Sequence, residues 1–145
     1  MALNTDFIGR TYPPTPPYEV SRIKIREFAT AIGDKNPIYY DREAARAAGH
    51  EDVIAPPTFP IVVSLGGDFL GNPELGLNYA MVVHGEQKFT FERPILAGDV
   101  LVCQTTITDI RKAGSNHLLK LTTEIRDAKG DLVVTTYNTI VERGA

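Results

Sequence analysis

Gly33-Asp34-Lys35-Asn36-Pro37-Ile38-Tyr39-Tyr40-Asp41 places two acids, an amide, a proline and two phenols within nine residues. Asp34 follows a glycine suited to a left-handed helix stop, and Pro37 bars immediate return to helix. A carboxylate held this way can do acid–base work, most effectively where burial raises its affinity for a proton. The plainer reading of Asp34 is that it ends a helix and bonds to local backbone, as Asp does in turns. The other chemically capable side chains are dispersed. His50, His84 and His117 share no ligand spacing with one another or with the single Cys103, so no metal site is expected. Neither a G-x-x-x-x-G-K-[ST] nor a G-x-G-x-x-G run signals a nucleotide loop.

The elements that must position Asp34 follow from periodicity. Ser21 caps a helix whose apolar stripe is Ile25, Phe28, Ala29 and Ile32. Asp41 caps a second, two-turn helix over 42–48 that ends at Gly49, and its four alanines predict close packing. Residues 1–18 carry Pro13, Pro14, Pro16 and Pro17 and are expected to form an arm over the surface. From Thr58 to Leu70 the chain is apolar nearly all round and predicts a buried helix, with a buried strand as the competing reading. From Tyr79 the period changes to two. Long strands are expected over 79–92, 100–110, 117–126 and 131–141, with Gly85 a bulge and turns at Gly114 and Gly130. Helices first and an antiparallel meander last give an α+β fold of one domain, whose open edges call for self-association.

The 145 residues carry a formal net charge of -3, with 43% apolar and 23% charged side chains. A weakly acidic chain with scattered cations has no electrostatic case for nucleic acid. No apolar run reaches membrane-spanning length, and the first nine residues do not read as a signal peptide. With one cysteine, a reducing cytoplasm is expected.

Gly33-Asp34-Lys35-Asn36-Pro37-Ile38, Ala55-Pro56-Pro57-Thr58-Phe59 and Arg93-Pro94-Ile95-Leu96-Ala97-Gly98-Asp99 together resemble the MaoC-like (R)-specific enoyl hydratases and 3-hydroxyacyl dehydratases. More narrowly, the chain looks like the single-domain actinobacterial group that includes the A subunit of (3R)-hydroxyacyl-acyl-carrier-protein dehydratase. The resemblance covers nearly the whole chain. It implies a hot-dog fold, a long central helix wrapped by an antiparallel β-sheet. It also implies homodimers or heterodimers with paired sheets, acyl-ACP or acyl-CoA substrates in fatty-acid-type metabolism, and no cofactor. One position departs from the pattern. The family motif runs Gly-Asp-x-Asn-Pro-aliphatic-His, and its second catalytic residue is the His; here that position is Tyr39.

Dehydration of a 3-hydroxyacyl thioester needs a base for the C2 proton, an acid for the leaving hydroxyl and donors for the thioester oxygen. Asp34 and Tyr39 are the catalytic candidates. A tyrosine, with an ordinary pKa of about 10, is a usable acid and a poor base. Pro56 and Pro57 have no N–H, so the amides of Thr58 and Phe59 are the candidate oxygen donors, with Asn36 beside them as a loop-ordering or substrate-binding group. Three functions are open: an active hydratase or dehydratase, a non-catalytic acyl-binding subunit needing a His-bearing partner, and a thioesterase using Asp68. Tyr39 and Tyr40 as packing aromatics, Asp68 as a helix-end polar group and Cys103 as core are the plainer readings.

Overall fold

The computed structural model describes residues 3–64 and 68–144, without the side chain of Asp68. Helix α1 spans Arg22–Ala31, and the Ser21 hydroxyl accepts the Lys24 N–H at 3.0 Å, as a capping serine should. Ile25 and Ala29 are fully buried. Ile32, expected on the same stripe, is 49% exposed, because the helix stops one residue earlier and Ile32 serves as its C-cap. Gly33 then takes φ +73°, a left-handed conformation that costs glycine little.

Helix α2, Arg42–Ala47, is capped by Asp41, whose Oδ1 accepts the Glu43 N–H at 2.9 Å. The close packing expected of its alanines holds only for Ala45. Ala47 and Ala48 are exposed, since a helix this short turns a single residue into the core. Helix α3 spans Pro60–Ser64, with Pro60 in the first turn where its missing N–H is harmless. A 3-10 turn follows over Asp68–Gly71. The apolar run expected as one helix is thus helical on both sides of 65–67, which lie outside the described residues.

Strand β1 is the two-residue Tyr18–Glu19, followed by β2 (Val82–Phe91), β3 (Val100–Ala113), β4 (Asn116–Arg126) and β5 (Leu132–Glu142). They form one curled antiparallel sheet in the order β1-β3-β4-β5-β2. The β3–β4–β5 meander is as the sequence reads. Gly85 sits at a register shift between His84 and Glu86, and a Cβ there would lie 2.8 Å from Val141 Cγ2 and 3.3 Å from the Thr139 carbonyl. That close approach explains the glycine within the strand. Tyr79–Met81, expected as strand, is a 3-10 turn whose first free amide, Ala80 N–H, is taken by Asn78 Oδ1 at 3.2 Å.

The N-terminal arm is more than a surface strap. Gly9, Tyr12 and Thr15 donate their N–H groups to the carbonyls of Ile107, Thr105 and Cys103 at 2.7–2.9 Å, and β1 pairs Tyr18 with Leu101. Within the arm, Leu3 and Phe7 are buried against the second core cluster. The outer edge of β3 is therefore covered, whereas β2 forms the opposite edge of the sheet.

The core divides into two clusters. One joins Ile25, Ala29, Tyr39, Ala45, Phe59, Val63, Cys103, Ile125 and Val134; the other joins Phe7, Leu75, Ile107, Leu119, Leu121 and Ile140. Between them, on one row of the sheet, lie buried Thr105, Thr123 and Thr136. The Thr105 and Thr123 hydroxyls satisfy each other at 2.8 Å, which removes most of the cost of burying them. Phe28 of α1 meets Phe59 edge-on at 5.5 Å, fixing α1 over the entry to α3.

Candidate active site

The Asp34 loop is built by its own polar groups. Asp34 donates its N–H to the Ala29 carbonyl at 2.9 Å, closing the helix end. Its Oδ1 accepts the Asn36 N–H at 3.1 Å, and Asn36 Oδ1 in turn accepts the Ile38 N–H at 3.2 Å. Each is an Asx turn, and the second caps a 3-10 turn over Pro37–Tyr39. Tyr40 completes the frame by donating its hydroxyl to the Asp34 carbonyl at 2.8 Å. Asn36 is exposed and spends its carbonyl oxygen on its own loop, while Asp34 is half-buried with Oδ2 taken by no described residue.

Tyr39 points the other way. It is 7% exposed and belongs to the first core cluster. Burial, and then the nearby Asp34 carboxylate, push its hydroxyl above the ordinary tyrosine range. It lines a mainly apolar cavity of about 350 Å³ together with Ile54, Ala55, Pro57, Phe91, Glu92, Arg93 and Pro94. Of Asp34, Asn36, Tyr39, Thr58 and Phe59, Tyr39 alone lines this cavity. Asp34 reaches it through its field on Tyr39, and Thr58 is exposed next to the cavity wall at Pro57. Phe59 is wholly buried, and its N–H is engaged by the Pro56 carbonyl at 2.9 Å. The Thr58 N–H has no acceptor among the described residues, so of the two candidate amides it is the one left open.

Of the cavity walls, Ala55, Pro57, Arg93 and Pro94 fall within the motifs offered by the sequence, whereas nothing in the sequence marks Ile54, Phe91 and Glu92. The Arg93-Pro-x-x-x-Gly-Asp99 spacing is the signal that was present, and its role is structural. Arg93 grips Asp99 through two nitrogens at 2.8 and 3.1 Å and reaches Asp127 at 3.3 Å, while Asp99 Oδ2 also accepts the Leu96 N–H at 2.8 Å. This staple ties the end of β2 to the start of β3 and to the β4–β5 turn, where one wall of the cavity begins. Across the site, Asp52 binds Arg22 at 3.1 and 2.7 Å and lies 3.6 Å from Arg42, joining the two helices that flank the Asp34 loop. Its carboxyl is held down to about 2, first by the Arg22 hydrogen bonds and further by the Val53 N–H and the charges of Arg22 and Arg42, against the opposing effect of burial. Among the described residues no three His, Cys, Asp or Glu side chains gather as a metal site. The Asp68 side chain, needed for thioesterase chemistry, lies outside the described residues.

The arrangement presents a phenol to a mainly apolar cavity, with a carboxylate nearby. Residues 6–136 match the family described as "FAS1-like, dehydratase domain region". A "UPF0336 protein" of Thermobifida fusca is 51% identical over 99% of this chain and 96% of its own length, and one of Streptomyces griseus is 51% identical over 100% and 98%. Among solved structures, a "MaoC-like dehydratase" superposes with a TM-score of 0.87 at 32% identity, over 96% of this chain and 43% of that one. This chain thus spans less than half the length of that protein. The C-terminally truncated HadBC (3R-hydroxyacyl-ACP dehydratase) complex of Mycobacterium tuberculosis superposes at 0.85 with 27% identity, covering 96% and 99% of the two chains.

Proposed function

Because the chain belongs to the FAS1-like dehydratase-region family, we propose that it is the acyl-thioester-binding member of a (3R)-hydroxyacyl dehydratase or (R)-specific hydratase, serving fatty-acid-type metabolism in the cytoplasm. The observation that carries this reading is Tyr39, buried in the wall of the apolar cavity where the family motif has its histidine. With its acidity weakened by burial, the phenol stays protonated at neutral pH. A protonated phenol can donate to a leaving hydroxyl or a thioester oxygen, but it cannot take a C2 proton. Asp34 is the remaining base, and one of its oxygens is committed to the Asn36 amide. One chain therefore supplies the tunnel wall and a proton donor, and a homologous hot-dog chain bearing both Asp and His supplies the full acid–base pair. The substrate is an acyl chain on a carrier protein or coenzyme A. The HadBC complex, named as a 3R-hydroxyacyl-ACP dehydratase, supports both the substrate class and a two-chain assembly.

A second reading rests on the electrostatic link between Asp34 and Tyr39. In it the carboxylate takes the C2 proton and the phenol protonates the departing hydroxyl, so the chain turns over alone. Hydration of a crotonyl thioester by the purified chain, with and without a His-bearing hot-dog homologue, separates the two. Activity only with the homologue is expected. Turnover by the single chain that Asp34→Asn abolishes establishes the second reading instead. Release of free thiol without hydration overturns both.

A further inference from the structure

Gln87 and Asn138 face each other across β2 and β5. Gln87 Nε2 donates to the Tyr137 carbonyl at 3.3 Å. That bond fixes the direction of the amide, since turning it over would set its oxygen against a carbonyl oxygen. Gln87 Oε1 and Asn138 Oδ1 are buried and accept from nothing among the described residues. Two unpaired acceptors on directly paired residues are costly to bury, and a donor brought by a ligand accounts for them.

Alternate residues of a strand share a face, so Phe91, Phe89 and Gln87 form one stripe along β2. Their partners on β5 are Val134, Thr136 and Asn138, and the first two are fully buried, so the stripe lies on the inner side of the sheet. The same side of β2 is left partly open: Phe91 is 38% exposed, and Phe89 and Gln87 are half-buried. Phe91 also stands in the wall of the cavity that Tyr39 lines, and its ring centroid is 6.3 Å from that of Phe89. The stripe therefore continues the cavity wall, apolar at Phe91 and Phe89 and then polar at Gln87 and Asn138. From Phe91 to Gln87 the strand rises about 13 Å. At ordinary single-bond lengths that is the reach of roughly ten carbons of an extended chain.

On the proposed acyl-thioester function, on which this step rests, we infer that Gln87 and Asn138 form a specificity site for a hydroxyl on the distal part of the acyl chain. An amide oxygen accepts and cannot donate, so the group that meets these two must bring a hydrogen. A methyl terminus brings none, and neither does a keto or ester oxygen. A hydroxyl gives its hydrogen to one oxygen and can accept in return from Gln87 Nε2, which keeps one hydrogen after its bond to Tyr137. An ammonium group would donate as well, but the neighbouring carboxylate of Glu86 is exposed and is met by the Thr139 hydroxyl at 3.5 Å, on the other face of the strand. Apolar walls with a few placed polar groups are how a pocket tells one chain from another. The hydroxyl recognised here lies far along the chain from the carbon atoms that react beside Tyr39.

Calorimetric titration of the full chain with ω-hydroxydodecanoyl-coenzyme A and with dodecanoyl-coenzyme A is the test. The hydroxylated thioester should bind about tenfold more tightly, because the plain chain leaves both oxygens unpaired. Gln87→Leu and Asn138→Leu should each remove that preference without weakening the binding of dodecanoyl-coenzyme A. In the wild-type chain, the side-chain amide resonances of Gln87 and Asn138 should move with the hydroxylated thioester and stay in place with the plain one, a readout that needs no variant. Equal affinity for the two thioesters overturns the inference and leaves the proposed function standing. So does a preference that survives both substitutions, or amide resonances that respond alike to both thioesters. Failure to bind either thioester overturns the proposed function, and the hydroxyl site with it.

Discussion

The Tyr40 hydroxyl donates to the Asp34 carbonyl at 2.8 Å, although the neighbouring Tyr39 is the tyrosine that lines the cavity. Two consecutive phenols thus do different work: one pins the backbone of the carboxylate loop, and the other stands in the pocket. Tyr40→Phe removes the pin and leaves a half-buried ring. It should cost about 1 kcal/mol, the net value of one such hydrogen bond, measured by urea unfolding. Faster amide exchange at Asp34 to Asn36 should accompany the loss, and unchanged exchange there would show that the two Asx turns suffice.

Tyr39 should report its surroundings optically. Its hydroxyl is raised by burial and by Asp34, so in an ultraviolet titration it ionises above the ordinary tyrosine range. A group whose folded pKa is raised contributes stability that is complete below its unfolded value and is lost as pH climbs through the folded one. Tyr39→Phe should therefore flatten the alkaline limb of the stability profile above about pH 10. Tyr39→His is the companion change. It should raise hydration of a crotonyl thioester by the single chain if Asp34 and the Thr58 amide are otherwise competent.

Asp52 predicts behaviour in acid. Its carboxyl is held at about 2 in the folded chain, so its contribution is present above the unfolded value and is lost as pH falls from about 4 toward 2. Asp127 lies below its ordinary value as well: burial opposes the shift, but the Asp131 and Lys129 amides and Arg93 outweigh it. Asp52→Asn should cost about 1 kcal/mol at pH 7, allowing for solvent screening of the half-exposed Arg22, and almost nothing at pH 2. Equal losses at both pH values would mean that packing, not the ion pair, holds α1 to the loop after α2.

Arg93→Leu leaves Asp99 and Asp127 facing each other without their shared cation. Both carboxylates are mostly buried, with side chains 14% and 15% exposed. The change should destabilise the chain in denaturant unfolding, because two carboxylates lose their shared cation. It should also weaken acyl binding, because the wall at Phe91–Pro94 loses its anchor.

Gly85→Ala puts a Cβ 2.8 Å from Val141 Cγ2. The Val141 side chain must move, at a cost of about 1–2 kcal/mol in the melting profile. A neutral result would show that the bulge at His84–Glu86 relaxes without strain.

The helix caps at Ser21 and Asp41, the Gly33 stop, the bulge at Gly85 and the β3–β4–β5 meander were all legible, because each depends on neighbours a few residues away. The two-residue strand Tyr18–Glu19 has no periodicity to read, and the arm became part of the sheet only because β3 offered it free backbone groups. In the site, Asp34 and Tyr39 could be named from their motif, but their separation into a loop-bound carboxylate and a cavity-facing phenol could not. The engagement of the Phe59 amide by Pro56 was likewise invisible, since a proline pair says only which amides are missing.

The order of residues by itself determined the local grammar: which segments twist into helix or strand, where glycine permits reversal, and that a tyrosine stands where a histidine would complete a proton relay. Folding in three dimensions decided what no spacing encodes. It brought Phe91 and Pro94, more than fifty residues downstream, against Tyr39 to make a cavity, and it left Gln87 and Asn138 with buried oxygens at an open edge. The reason is physical. Backbone conformation is set by near neighbours and their short-range sterics, whereas burial, and with it the acidity of a phenol or the cost of an unpaired carbonyl, depends on whatever distant surface arrives to exclude water.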